Sequence, residues 1–276
     1  MIFWLASYPK SGNTWLRALL TNYLYNKNIE NSGNVFSKME MIKSFPKKSN
    51  FEGLIDENIL KENYMQLFKY FIKAQEKINT DNNLHIIKTH NICGSINNFN
   101  FTDKKNTLGS IYIVRDPRSI VVSYAHHANI TFEKSVDLLL DEKRVTLHDK
   151  FYPEARSSWK IHLLSWLNHP MPKILIKYED LEKNTYKNFK SILEFVNNFI
   201  RKKIEIDEKK ILKTVEDCSF NNLSKLEKKV GFSEKGKNTN FFRKGKIDEW
   251  KSVLDIKLIK KIETSLDEEL KKLNYI

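Results

Sequence analysis

The chain holds only two cysteines in 276 residues, Cys93 and Cys218, with no metal-ligand spacing between them. That excludes a disulfide framework and makes a reducing cytoplasm the expected compartment. Long apolar runs are missing too. The longest fall well short of the ~18–20 residues that span a bilayer, so no membrane-spanning helix is expected. No basic stretch followed by an apolar core opens the sequence, and no signal peptide is expected. Internal repeats are absent, and no compositional break demands a domain boundary, so one domain over 1–276 is expected. The order G-x-x-x-x-G-K-[ST] occurs nowhere, which excludes the usual nucleoside-triphosphate loop.

Acid is in the minority, with 34 Asp and Glu against 47 Lys and Arg, a net charge of +13. A polyanionic partner, nucleic acid or a membrane surface, would account for it. So would a composition rich in Lys, Asn and Ile with no functional meaning. One part of the excess is local. Residues 225–246 carry seven Lys and Arg243 against Glu227 and Glu234, a net +6 in 22 residues. Alone, such a run reads as a solvated face or as a nucleic-acid-binding loop.

Hydrophobic residues at 41% and aromatics at 12% are ample for a packed core. Residues 3–6 predict a short buried strand, followed by a polar loop Ser7–Thr14 and a helix from Asn13 to about Tyr25. The stretch 28–56 has little periodicity and reads as a mobile loop, as does 229–247. Helical spacing spans 57–79. LHIIKTH (84–90), SIYIV (110–114) and KILIKY (173–178) predict further strands. Asp116-Pro117 predicts an N-cap and first helical position. Trp159, Leu163, Leu164 and Leu167 mark a helix closed by His169-Pro170. Beyond Asn184 the pattern is mainly helical, over 185–200, 207–217 and 256–273. Strands separated by helices predict an α/β fold: a parallel sheet with helices on both faces and a helical C-terminal part.

Ligands of such sheets sit at the carboxyl ends of strands. Four polar clusters stand there: Ser7–Thr14, Lys88–His90, Arg115–Ser123 and Tyr178. In the first, Lys10 supplies charge, Gly12 close approach and Thr14 a hydroxyl. A helix N-terminus that follows such a loop binds anions, although an ordinary strand–turn–helix would look similar. Arg115 suits an oxyanion or a local carboxylate. Ser119 and Ser123 share a helix face. Lys88 and His90 point to one side of their strand, and His90 reads as a base or as a structural histidine. His126-His127 are adjacent, a poor geometry for a joint metal site, and no metal is expected. Phe242-Arg243-Lys244-Gly245-Lys246 could close over a phosphate.

These residues converge on a family. YPKSGNTWL (8–16) closely resembles the YPKSGTTWL phosphosulfate loop of sulfotransferases. IVRDPRSIVVSY (113–124) resembles their 3′-phosphate segment, and KTH (88–90) the strand end that carries the catalytic base. RKGKIDEWK (243–251) resembles their RKGxxGDWK segment. CSFNNL (218–223) and Tyr178 in KYEDL resemble segments near the adenine. The resemblance, to a bacterial-like member of the cytosolic type, implies a P-loop-type fold. It also implies 3′-phosphoadenosine 5′-phosphosulfate (PAPS) as co-substrate, without metal. Lys10, Ser11, Gly12, Asn13 and Thr14 would hold the 5′-phosphosulfate. Trp15, Tyr178 and Phe220 would surround the adenine, while Arg115, Ser123, Arg243, Lys244 and Gly245 would hold the 3′-phosphate. His90 would take the acceptor's proton, Lys10 would stabilise the leaving phosphate, and Lys88 would assist the sulfuryl group. The acceptor would be a hydroxyl of a small molecule, lipid or glycan, with no nucleic acid as partner; a homodimer stays open.

Three positions depart from the family pattern: Asn13 for Thr, Asp248-Glu249 for Gly-Asp, and Cys218 for Thr. The rival readings are a P-loop kinase of a nucleotide or small molecule, and a non-enzymatic nucleic-acid binder acting through 225–246. A kinase would need the missing G-x-x-x-x-G-K-[ST] order and a carboxylate for Mg²⁺.

Overall fold

The computed structural model describes residues 1–26, 33–55, 63–81, 83–147, 152–235, 240–245 and 247–276. Four parallel strands form its central sheet: β1 Ile2–Ser7, β2 His85–Thr89, β3 Thr107–Val114 and β4 Lys173–Lys177, in the order β2-β1-β3-β4. The register pairs Trp4 with Ile87 on one side and Ser110 on the other.

All six residues of β1 are buried, as a strand covered on both faces requires. Alternation divides them between two cores. Ile2, Trp4 and Ala6 join Ile87, Tyr112 and Val114 in one. There they meet α2 Phe71–Ile78, α3 Pro117–Ala128, α5 Trp159–Asn168 and α9 Ile256–Ser265. Phe3 and Leu5 join Ile86, Ile111, Ile113 and Ile176 in the other. These pack on α1 Asn13–Tyr25, α6 Thr185–Asn197 and α7 Glu208–Asp217. Helix α4 Phe132–Leu140 lies beside α3, and α8 Phe220–Val230 follows α7.

Strand β1 sits between β2 and β3, so the chain leaves it toward one neighbour and later returns on its other side. A crevice opens at such a reversal, beyond the carboxyl end of β1. The Ser7–Thr14 loop occupies that end.

Three sequence expectations change. Within 28–56, residues 33–55 form helical turns rather than a featureless loop, with Phe45 and Phe51 buried against Phe71; aromatic spacing there follows no single period. The predicted helix over 57–79 begins as a 3₁₀ turn, Tyr64–Tyr70, before α2; 56–62 lie outside the described residues. Tyr178 opens a short helix, Tyr178–Lys183, instead of ending β4. Within 229–247, residues 236–239 and 246 are also outside the description.

Candidate active site

The loop after β1 is held by its own side chains. The Asn13 amide donates to Leu5 O at 3.0 Å and to Ser7 Oγ at 3.2 Å, tying the start of α1 back to the strand. Both of its N–H groups are thereby used within the protein. What Asn13 has left is its backbone N–H, one of the first N–H groups of a helix, which lack intrahelical partners. Lys10 has φ 69° and Gly12 φ 102°. A Cβ on Gly12 would lie 2.5 Å from the Tyr178 ring, so glycine serves both the turn and the close approach.

Helix α3 begins as the sequence predicts. The Asp116 carboxylate accepts from Arg118 N at 2.8 Å, and Pro117 takes the first helical position. The two arginines of the segment then part. Arg118 pairs with Asp116 at 2.7 Å and lies 3.9 Å from the Trp250 ring, bracing the C-terminal region. Arg115 turns to the crevice, where one N–H reaches Lys10 O at 3.1 Å and its guanidinium stacks 4.2 Å from Tyr178.

A cavity of about 650 Å³ occupies the crevice. Lys10, Gly12, Asn13, Thr14, Trp15, Lys88, His90, Arg115, Ser123, Tyr178, Phe220, Arg243, Lys244 and Gly245 all line it. Of the expected site residues only Ser11 does not; it is fully buried beneath the loop. Six separate segments therefore meet at one place.

Two ends can be distinguished by chemistry. At one, Trp15 and Tyr178 meet edge to face at 5.8 Å, and Trp15 Nε1 donates to Cys218 O at 2.8 Å. Phe220 lies beside them over Gly245, whose φ is +64° and whose added Cβ would come 2.6 Å from that ring. This is an aromatic slot fit for a flat heterocycle. At the other end stand Lys10, Lys88 and His90. The Lys10 ammonium lies 4.1 Å from the Phe241 ring centre. Burial, then the Arg115 charge, pulls its pKa down to about 7. Lys88 is also lowered by burial.

His90 has a defined tautomer. Its Nδ1 lies 2.7 Å from Ser7 O, a pure acceptor, so Nδ1 carries the proton and Nε2 the lone pair. His162 Nε2 donates to His90 O at 3.2 Å, and Tyr112 OH donates to His162 Nδ1 at 2.8 Å. Burial first, then the Lys88 charge, holds His90 well below the ordinary histidine range, which keeps it neutral at pH 7.

Residues outside the expectation also line the cavity: Glu234, Glu249, His127 and Arg156. The Arg243 guanidinium forks onto Glu249, with one contact at 2.9 Å, and Lys244 joins the same carboxylate at 2.8 Å. Those contacts, the Arg243 hydrogen bond above all, lower the Glu249 pKa to about 2. Arg156 pairs with Glu154 at 2.5 Å. Burial, then the Lys10 charge, lowers His127 to about 4. Of the adjacent histidines, His127 reaches the cavity and His126 does not. A carboxylate six residues after an Arg was visible in the sequence; nothing there marked Glu234, His127 or Arg156.

The fold is a parallel α/β sheet with a cationic and aromatic cavity at its carboxyl edge, and comparison with known proteins gives its family. The sulfotransferase-domain family model matches residues 2–274. This chain belongs to the sulfotransferase family and is an enzyme of sulfuryl transfer. It is 28% identical to flavonol 3-sulfotransferase of Flaveria bidentis, over 96% of this chain and 80% of that protein. It is 24% identical to cytosolic sulfotransferase 14 of Arabidopsis thaliana, over 96% and 74%. Among solved structures, mouse sulfotransferase SULT7A1 complexed with PAP aligns with TM-score 0.62 at 21% identity, over 97% of this chain and 83% of that one. Retinol dehydratase in a complex with retinol and PAP aligns at 0.64 and 20%, over 98% and 81%.

Proposed function

We propose that this enzyme, acting as a single domain in the cytoplasm, moves the sulfuryl group of PAPS to an acceptor hydroxyl on a small molecule, lipid or glycan. The observation that carries the reading is the meeting of the Lys10 loop, His90 and a second cationic set at one cavity beside an aromatic slot. Two further features support the fit. Arg115 Nε, on the cavity wall, is buried without a hydrogen-bond partner among the described residues, as a group reserved for a ligand anion is. The solved complexes of SULT7A1 and retinol dehydratase with PAP, the desulfated product, point the same way.

PAPS, when bound, supplies an activated S–O bond to a phosphate leaving group. The remaining work is positioning and charge stabilisation. Trp15, Tyr178 and Phe220 would grip the adenine. Arg115, Ser123, Arg243, Lys244 and Gly245 would hold the 3′-phosphate. The Thr14 hydroxyl and the first N–H groups of α1 would hold the 5′-phosphate. His90 Nε2 accepts the acceptor's hydroxyl proton as the new O–S bond forms. Lys10 balances the charge left on the phosphate oxygen as the old S–O bond breaks, and Lys88 faces the equatorial sulfuryl oxygens.

Calorimetry with 3′-phosphoadenosine 5′-phosphate (PAP) against ATP tests the donor assignment, and PAP is expected to bind preferentially. His90→Ala is expected to lower sulfate transfer from PAPS by about 10²-fold or more while keeping PAP binding. Near-wild-type transfer by that variant would refute the base assignment.

A further inference from the structure

Glu234 lies in the donor cavity and touches the groups that the proposed function assigns to the 5′-phosphosulfate. Its Oε2 accepts from Thr14 Oγ at 3.0 Å. Its Oε1 forms an ion pair with Arg17, one turn along α1 from the loop. The same oxygen lies 3.9 Å from Lys88 Nζ. The Lys88 and Arg17 charges outweigh burial and hold its pKa at about 2, so it is an anion throughout the neutral range.

A hydroxyl has one proton to donate. Thr14 gives its proton to Glu234, so the same hydroxyl cannot also serve a phosphate oxygen. Two anions close together in a partly buried site also repel strongly. The geometry makes Glu234 and a 5′-phosphate mutually exclusive partners of Thr14.

The residue is placed to leave and return. It stands at a turn just beyond α8, four residues past Val230. Farther on, the Phe241 and Phe242 N–H groups donate to Glu227 at 2.7 and 2.9 Å. Of its partners, Thr14 and Arg17 sit on α1 and Lys88 on β2, so its contacts cross from one segment of the fold to the first helix and the sheet. Farther along the same stretch, Glu249 occupies Arg243 and Lys244, the cations assigned to the 3′-phosphate. Carboxylates thus sit on both cationic sets that the donor would use.

We infer that Glu234 is a built-in competitor for the 5′-phosphosulfate subsite, a carboxylate that occupies Thr14 and must be displaced before the donor's phosphate can seat there. The inference rests on the donor assignment above and goes beyond it. Glu234 lowers donor affinity, and it vetoes ligands too weakly held to dislodge it. Arg17 keeps the carboxylate nearby for return once the product leaves.

The test is calorimetry of PAP, and separately of adenosine 3′-phosphate, which lacks the 5′-phosphate. Wild type is compared with Glu234→Gln and Glu234→Ala. Removing the charge is expected to tighten PAP by about tenfold, the worth of one hydrogen bond to a charged group. Adenosine 3′-phosphate is expected to change less than twofold. Unchanged or weaker PAP binding would overturn the inference, and so would equal tightening of both ligands, which would mark a general charge effect. Should both variants fail to fold, Glu234→Asp still decides, because it keeps the charge and draws the carboxylate back from Thr14 by one methylene. It should tighten PAP severalfold with adenosine 3′-phosphate unchanged; unchanged or weaker PAP binding would refute competition. Failure of wild type to bind PAP at all would instead defeat the donor assignment, a separate outcome.

Discussion

Lys10 offers the sharpest test of how this cavity handles charge. Its ammonium is buried beside Arg115, and its pKa falls to about 7. A bound 5′-phosphate would oppose these influences by supplying an opposite charge, which raises the pKa. Binding then draws a proton onto Lys10 whenever the lysine begins neutral. At pH 8 a group of pKa about 7 is about 90% neutral, so binding takes up about 0.9 proton; at pH 6 the Lys10 contribution falls to about 0.1. Linkage fixes the sign: affinity falls as pH rises. The protonated fraction drops from about one half at pH 7 to about one tenth at pH 8, so PAP should bind about fivefold more weakly at pH 8. The phosphate itself, with its second pKa near 6, is already a dianion there. Calorimetry in two buffers of different ionisation enthalpy reads the proton count directly. Lys10→Met isolates the lysine's share, because Lys88 is lowered as well. No uptake by wild type at pH 8, or equal uptake by wild type and Lys10→Met, would refute the reasoning.

Two further outcomes follow from the geometry. Gly12→Ala puts a Cβ 2.5 Å from the Tyr178 ring at a φ of +102°; the strain of about 1–3 kcal/mol and the displaced ring should weaken PAP by about tenfold or more, and an unchanged affinity would show that the ring does not wall the site. The acid limb of kcat/KM should lie well below pH 6.5, because burial and Lys88 depress the His90 pKa and only its neutral form accepts a proton; a limb at or above 6.5 would mean that another group is the base.

Much of the fold was legible because period and punctuation agreed. The buried run of β1, the Asp116-Pro117 start of α3 and the closure of α5 at His169-Pro170 each rest on contacts between near neighbours. Residues 33–55 were not legible, because Phe45 and Phe51 answer to Phe71 and Trp4 across the fold rather than to any local repeat. The cavity's lining divides the same way. Lys10, Gly12 and Thr14 lie within one loop, and Lys88 and His90 at one strand end, so spacing exposed them. Glu234 is 220 residues from Thr14 and gives no local signal.

The loop at Ser7–Thr14 thus had its residue types and its place after a strand set by sequence alone, and with them the likeness to a phosphosulfate loop. The ordering of lysine before glycine excluded the triphosphate version without any structure. Tertiary structure decided how those groups are used. It turned the Asn13 amide inward to the strand, gave Arg115 to the crevice and Arg118 to the core, and fixed the His90 tautomer through Ser7 O. It also brought Glu234 and Glu249 onto the cations. Charge and hydrogen-bonding capacity belong to residues and can be read in order. Burial, partner and direction belong to the packed fold, because they depend on groups far apart in the chain.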